Sequence, residues 1–179
     1  MTAADDPILI GLGANLPGPD HRSPRETLEA ALAAFPGHGL RVVKLSPWYE
    51  SSPVPPSDQP WFVNGVAIIE TELGPQETMA ALLAVEQAFG RQRGERWAAR
   101  TLDLDLLAYR DLIVNRPANA THPALTLPHP RLQDRRFVLA PLKDVAPDWR
   151  HPETGKGVDS LLERLDDAGE VRLLDPAKS

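Results

Sequence analysis

The chain has 179 residues, of which 42% are hydrophobic and 25% charged, with a formal net charge of −6 and no cysteine. That length suits one domain, the composition excludes disordered and membrane-embedded classes, and the acidic balance excludes a surface that grips nucleic acid over its whole area. Cysteine nucleophiles, thiolate zinc sites and disulfides are excluded outright, and with no apolar run near the roughly 18–20 residues of a membrane span and no signal-peptide pattern at Met1–Asp6, a cytoplasmic protein is expected.

In chain order, Pro7-Ile-Leu-Ile-Gly-Leu-Gly13 reads as a short buried strand. Gly11, Gly13 and Gly18 do not have the spacing of a dinucleotide-binding fingerprint and read instead as a tight strand-to-loop turn. Ser23, Pro24 and Glu26 form a capping pattern with proline at the first helical position, followed by Leu28, Leu32 and Phe35 at helical spacing and a stop at Pro36-Gly37. Arg41 to Tyr49 reads as a second strand whose end Pro47 confines to an edge or a bulge. After the proline-rich loop Ser52–Pro60 come a third strand, Trp61 to Glu70, and a helix opened by Gly74-Pro75 and running through Phe89. Leu102 to Tyr109 is a fourth strand, Phe137 to Val145 a short helix, and Leu161, Leu162 and Leu165 mark one more. The order β-α-β-β-α-β predicts a ferredoxin-like α+β sandwich, with helices on one face of an antiparallel sheet. A single domain over 1–179 is expected, with its core in about 6–150 and a C-terminal extension over 151–179.

Charge is concentrated locally. Arg91, Arg93, Arg96 and Arg100 stand against Glu95 alone, and Arg131, Arg135 and Arg136 against Asp134. On an acidic chain such clusters suit a discrete anionic ligand; a solvated surface loop is the bland alternative. Next to the first cluster, Asp103 and Asp105 are two apart on a strand, so both carboxylates point to one side while Leu102, Leu104 and Leu106 face the core. Like charges held together call for a cation. Mg²⁺ bridging carboxylates and phosphates would supply it, and pairing with Arg96 and Arg100 is the alternative. Guanidinium forks suit phosphate, yet the Walker pattern is missing, so an ordinary P-loop kinase is excluded. Trp48, Tyr49, Trp61 and Phe62 flank the proline loop and Phe137 follows the second arginine cluster; Asn64 shares a strand face with Phe62, and a flat heterocycle sandwiched between rings could be read on its edge by that amide. Trp48 reads as core.

Gly11-Leu-Gly-Ala-Asn-Leu16, Ser52-Pro-Val54, Asp58-Gln-Pro60, Phe62-Val-Asn64, Gly90-Arg-Gln-Arg93, Arg96-Trp97, Arg100-Thr-Leu-Asp-Leu-Asp105, Leu127-Pro-His-Pro130 and Arg135-Arg-Phe137 together resemble the 6-hydroxymethyl-7,8-dihydropterin pyrophosphokinases. The resemblance covers about residues 6–150. It implies transfer of pyrophosphate from ATP to 6-hydroxymethyl-7,8-dihydropterin, by attack of the hydroxymethyl oxygen on the β-phosphorus with AMP leaving. It further implies that Asp103 and Asp105 hold two Mg²⁺ ions, and that Phe62 and Phe137 stack on the pterin while Asn64 reads its edge. Ser51, Ser52 and Val54 would lie in a loop touching the pterin, and Glu86, Arg91, Thr126, His129 and Arg135 would contact the nucleotide. Arg91, Arg93, Trp97 and Arg100 would belong to a mobile loop that closes over both substrates, its arginines acting in catalysis and Trp97 covering the pterin. The chain departs from some relatives at Gly94, Ala124 and Pro130, which bears on nucleotide contacts and leaves the reaction expectation unchanged.

Catalysis of this kind is positioning and charge neutralisation, with no general base evident. The rival readings are a ferredoxin-like ligand-binding or regulatory module without turnover, an RNA-recognition domain, and a monophosphate kinase releasing ADP. Two aspartates on the fourth strand disfavour RNA. No nucleic-acid or membrane partner is expected, and the protein is expected to act as a monomer.

Overall fold

The computed structural model describes residues 6–90, 101–166 and 169–177. The main sheet has the strand order β5–β1–β4–β3–β8, built from β1 (Ile8–Ala14), β3 (Tyr49–Ser51), β4 (Phe62–Glu70), β5 (Asp103–Tyr109) and β8 (Val171–Leu173). β2 (Arg41–Leu45) also pairs with β4, and all of these pairings are antiparallel. A separate hairpin joins β6 (Val114–Arg116) to β7 (Leu125–Leu127).

The helices begin where the sequence says they should. In α1 (Pro24–Ala34) the Ser23 hydroxyl accepts the Glu26 N–H at 3.2 Å, and Arg22 N–H donates to the Glu26 carboxylate at 2.8 Å, so two otherwise orphaned donors at the helix start are satisfied. The helix passes into a 3₁₀ turn, Phe35–His38, that ends at Gly39 with φ of 78°, a left-handed conformation only glycine adopts at low cost. α2 (Pro75–Ala88) starts behind Gly74.

Period-two alternation divides the sheet into two apolar faces. Ile8, Ile10, Leu12, Leu104 and Leu106 pack with Leu28, Phe35, Leu82 and Val85 of the α1 and α2 layer. Leu9, Val66 and Leu107 pack instead against α3 (Arg136–Val145) and α4 (Val158–Glu163) through Leu139, Leu142 and Leu161. The antiparallel α+β architecture stands as expected, with one correction: helices cover both faces, because β1, β4 and β5 carry apolar residues on their second face as well. Each fully buried leucine in these layers contributes about 1.5–3 kcal/mol.

The expected second strand is broken. Leu45 lies opposite Ala67 and Tyr49 opposite Asn64, so four steps on one side span three on the other. Pro47 sits in the gap, and Ser46 bridges it by exchanging bonds with Val66, donating its N–H to the carbonyl at 2.9 Å and accepting the amide on its hydroxyl at 3.0 Å. This bulge turns Trp48 onto the core face, where a Cβ at Gly65 would lie 2.8 Å from the indole. It also aims Tyr49 and Ser51 at the opposite face, the one that carries the site.

Gly11 and Gly13 lie inside β1 rather than in a turn, which corrects the sequence expectation. The strands β6, β7 and β8 are too short, and their pairing partners too distant or too irregular in sequence, for alternation to reveal them.

Candidate active site

Strand register assembles the site floor. Asp103 lies opposite Gly13, Gly13 opposite Asn64, and Asn64 opposite Tyr49, forming one row across β5, β1, β4 and β3. The next position places Asp105 opposite Gly11 and Gly11 opposite Val66. Two carboxylates therefore stand at one end of the floor and an amide at the other, with two glycines between them that raise no side chain. A Cβ on Gly13 would come within 3.2 Å of Asn64 Oδ1, and one on Gly11 within 3.3 Å of Leu107.

Above this floor is a cavity of about 300 Å³ lined by Asp103, Asp105, Ser51, Ser52, Val54, Phe62, Asn64, Arg135 and Phe137, with Gly11 and Gly13 beneath. These residues come from β3, β4, β5 and the start of α3, and from the loop after β3. Asn64 is buried and donates its side-chain N–H to the Ser51 hydroxyl at 2.7 Å, which fixes the amide plane. Phe62 is two residues before Asn64 on the same face, and Phe137 projects from the first turn of α3. Tyr49 donates its hydroxyl hydrogen to Asp144 on α3, tying that helix to β3; burial and the Asp144 carboxylate push the phenol up to about 12. Arg135 lies 3.8 Å from Asp105, with its guanidinium 5.6 Å from the Phe137 ring centroid, so it spans the acidic and aromatic ends.

Three expected nucleotide contacts do not line this cavity. Glu86 is buried on α2, where it accepts the Leu104 N–H at 2.7 Å and so braces β5 between the two aspartates. Thr126 is exposed on β7, with its hydroxyl 3.4 Å from Asn115. His129 is held by its N–H to the Leu107 carbonyl at 2.8 Å, and its Nδ1 accepts the Arg131 amide at 3.2 Å, leaving the ring proton on Nε2 when neutral. Arg91, Arg93, Trp97 and Arg100, together with the expected closing loop, lie outside the described residues.

His129 is kept neutral. Burial first, and then the Arg135 and Arg131 guanidinium groups, hold its pKa at about 4 against the opposing pull of Asp103. The unfolded imidazole binds its proton near pH 6.5, so between pH 6.5 and 4 the unfolded chain carries more protons, and stability rises with pH across that window. Melting temperature should therefore fall as pH drops from 6.5 to 4, and His129→Gln should flatten the fall. Equal pH dependence in both proteins would show that other groups govern it.

Gly11 and Gly13, read from the sequence as a turn, build the floor; glycine inside an alternating strand is the signal for a close approach. Asn15 is buried, donates to Gln59 at 3.0 Å and to the Pro60 carbonyl at 3.3 Å, and so anchors the proline loop beside the cavity. Arg131 and Val138 also line the cavity.

The family described as 7,8-dihydro-6-hydroxymethylpterin-pyrophosphokinase matches residues 9–147, which include every residue named above as lining the cavity. The chain belongs to this family. Among pyrophosphokinase relatives, it is similar to the 2-amino-4-hydroxy-6-hydroxymethyldihydropteridine pyrophosphokinase of Pseudomonas aeruginosa, 44% identical over 156 residues, 87% of this chain and 89% of that protein. The protein of the same name from Synechocystis is 42% identical over 159 residues, 88% of this chain and 75% of that protein. In fold, the chain resembles the Plasmodium falciparum HPPK-DHPS crystallised with STZ-DHP, with a TM-score of 0.71 at 13% identity over 89% of this chain. It spans 43% of that longer protein, and that likeness is one of architecture.

Proposed function

We propose that this pyrophosphokinase family member transfers the β,γ-pyrophosphoryl group of ATP to the hydroxymethyl arm of 6-hydroxymethyl-7,8-dihydropterin, releasing AMP. One observation carries the reading most: a single cavity has two carboxylates at one end and, at the other, two aromatic rings around a hydrogen-bonded amide. That polarity suits a substrate pair with one charged and one flat, uncharged member.

In this reading Asp103 and Asp105 hold two Mg²⁺ ions. The donor set fits, since hard carboxylate oxygens are the ligands Mg²⁺ prefers, and the cation would supply charge neutralisation and alignment of the phosphates. Phe62 and Phe137 flank the pterin, and Asn64, fixed by Ser51, reads its edge. Ser51, Ser52 and Val54 form the outer wall. Arg135 guides the anionic end through its planar fork, and His129, neutral with its proton on Nε2, can donate to a phosphate oxygen. A pKa near 4 makes it a poor base at neutral pH, so catalysis rests on positioning and charge. Arg91, Arg93 and Arg100 are assigned to charge stabilisation on the transferred group, Trp97 to covering the pterin, and Glu86 and Thr126 to the nucleotide side. We take the protein to be cytoplasmic, a monomer and a single domain. Among the described residues no helix is long and apolar enough to cross a membrane.

The deciding experiment is the nucleotide product. With dihydropterin, ATP and Mg²⁺, ³¹P spectroscopy should show AMP and a pyrophosphorylated pterin. ADP would indicate an ordinary kinase, and an unchanged mixture a binding module.

Phe62→Ala and Phe137→Ala should each weaken pterin binding by roughly threefold to tenfold beyond the loss of buried area, matching the ~0.5–1.5 kcal/mol of an aromatic pair. Calorimetry should find affinity for a non-hydrolysable ATP analogue nearly unchanged; the reverse preference would overturn the sandwich.

A further inference from the structure

The C-terminal segment lies outside the residues that match the family, yet its strand pairs with β3, which leads into the wall of the site. β8 pairs with β3 in the register Tyr49–Leu173, Glu50–Arg172 and Ser51–Val171. The ladder continues at both ends. Leu174 N–H donates to the Trp48 carbonyl at 2.9 Å, and Ser52 N–H donates to the Glu170 carbonyl at 3.0 Å. Glu170 N–H then donates to the Ser52 hydroxyl at 2.9 Å, a contact between residues 118 apart in sequence. Just before it, Gly169 has φ of 98° and runs so close to the loop that a Cβ there would lie 3.0 Å from Val54 and 3.2 Å from the Ser52 hydroxyl.

The same strand holds the far end of the proline loop. Arg172 forms an ion pair with Glu50, and its guanidinium sits 4.5 Å from the ring centroid of Trp61, the residue before Phe62. Glu170 and Gly169 thus hold the loop where it leaves β3, and Arg172 holds it where it enters β4. Without β8, the three-residue β3 would be the sheet edge, and Ser51, Ser52 and Val54 would follow a strand too short to set their position.

We propose that β8 is a positioning element for the heterocycle-binding wall: by capping Ser52 and clasping both ends of the proline loop, it sets where Ser51, Ser52 and Val54 stand and so governs affinity for the flat co-substrate. This rests on reading that wall as the pterin side of the site. Its bonds and ion pair run to Trp48, Glu50, Ser52 and Trp61, none of them assigned to the nucleotide, so its influence is selective.

Proline substitutions in the full-length protein test it, since each deletes one N–H. Glu170→Pro removes the donor to Ser52, and Leu174→Pro the donor to Trp48. With bonds at 48/174 and 52/170, the intervening 49/173 pair is a non-bonded one, so on this outermost strand the Leu173 N–H points away from β3. Leu173→Pro is therefore the control. Arg172→Ala leaves the backbone intact and guards against a proline variant that fails to fold. Binding of 6-hydroxymethyl-7,8-dihydropterin and of a non-hydrolysable ATP analogue is measured by calorimetry beside thermal melting, with Phe62→Ala as reference.

Glu170→Pro should weaken pterin binding about tenfold and Arg172→Ala about threefold, the scale of one or two lost polar contacts, with nucleotide affinity within about twofold of the parent and Leu173→Pro unchanged. If both ligands weaken together, β8 only stabilises the fold and the proposal is overturned. If pterin binding is unaffected in Glu170→Pro and Arg172→Ala while Phe62→Ala loses it, the site reading stands and the β8 proposal fails. If Phe62→Ala also binds pterin normally, the wall itself is misassigned and both fall.

Discussion

Asp103→Asn and Asp105→Asn should each lower turnover by about a thousandfold, about 4 kcal/mol of lost transition-state stabilisation, with melting temperature within a few degrees of the parent. The amide keeps the shape of the carboxylate and removes its charge, so the loss isolates electrostatics. Little stability is at stake. The Asp105 side chain is 29% exposed and its pairing with Arg135 is long at 3.8 Å, a type of ion pair that contributes about 0–1 kcal/mol. The backbone of β5 is meanwhile fixed by its pairing with β1 and by the Glu86 brace on Leu104, which neither substitution touches.

The two variants should not be identical. Asp105 lies 3.8 Å from Arg135 in the cavity wall, so neutralising it leaves that guanidinium freer to draw on nucleotide phosphates directly. Asp105→Asn should therefore retain nucleotide affinity better than Asp103→Asn in the absence of Mg²⁺, while on the proposed metal role turnover in both should respond less to added Mg²⁺ than in the parent. Single-turnover assays across a Mg²⁺ titration measure this. Near-parental turnover at saturating Mg²⁺ in either variant would remove that residue from the proposed metal site.

What the sequence made legible follows from how local each signal is. Asp103 and Asp105 were readable because strand alternation alone sets their common direction, and the alternating Leu102, Leu104 and Leu106 are buried as that alternation requires. The α1 cap was readable from Ser23 and Glu26, three residues apart. Phe62 and Asn64 were readable as a pair for the same reason as the aspartates. Phe137, Arg135 and Ser51 joined them through the resemblance, since only the fold brings α3 over β3 and β4.

The misses are non-local. Whether Gly11 and Gly13 turn the chain or floor a cavity depends on Asn64 and Leu107, both more than 50 residues away. Helices on both sheet faces required α3 to return against Leu9 and Val66, and nothing in the α3 sequence says which face it will meet. Glu86 offered a carboxylate without a location, and its burial against Leu104 comes from the packing of α2 on β5. The pairing of β8 with β3 was hidden for the same reason, a three-residue strand joined to a partner more than 100 residues earlier.

Gly13→Val should weaken pterin binding tenfold to hundredfold with little change in fold stability, a separation few substitutions can achieve. Gly13 sits near the end of a central strand, between Asp103 and Asn64, and its backbone is ordinary extended chain, so valine meets no conformational penalty there and improves the local β-propensity. The cost falls on the cavity. The first added carbon lies 3.2 Å from Asn64 Oδ1, tight enough to displace the amide from its bond to Ser51, and the two methyls beyond it rise into the space where the heterocycle would lie. Overfilling a fitted space costs about 1–3 kcal/mol, which predicts a tenfold to hundredfold rise in the pterin Kd. Nucleotide binding should persist, because Asp103, Asp105 and Arg135 are not moved by a side chain on their neighbouring strand that points toward Asn64. Gly13→Ala should fall between parent and valine, since only the first carbon is added and Asn64 need shift by a few tenths of an ångström. Calorimetric titration of the three proteins with pterin and with an ATP analogue gives the test. Parental pterin affinity in Gly13→Val would mean that the ring does not lie over the glycine floor, and the placement of the substrate between Asn64 and the aspartates would be wrong.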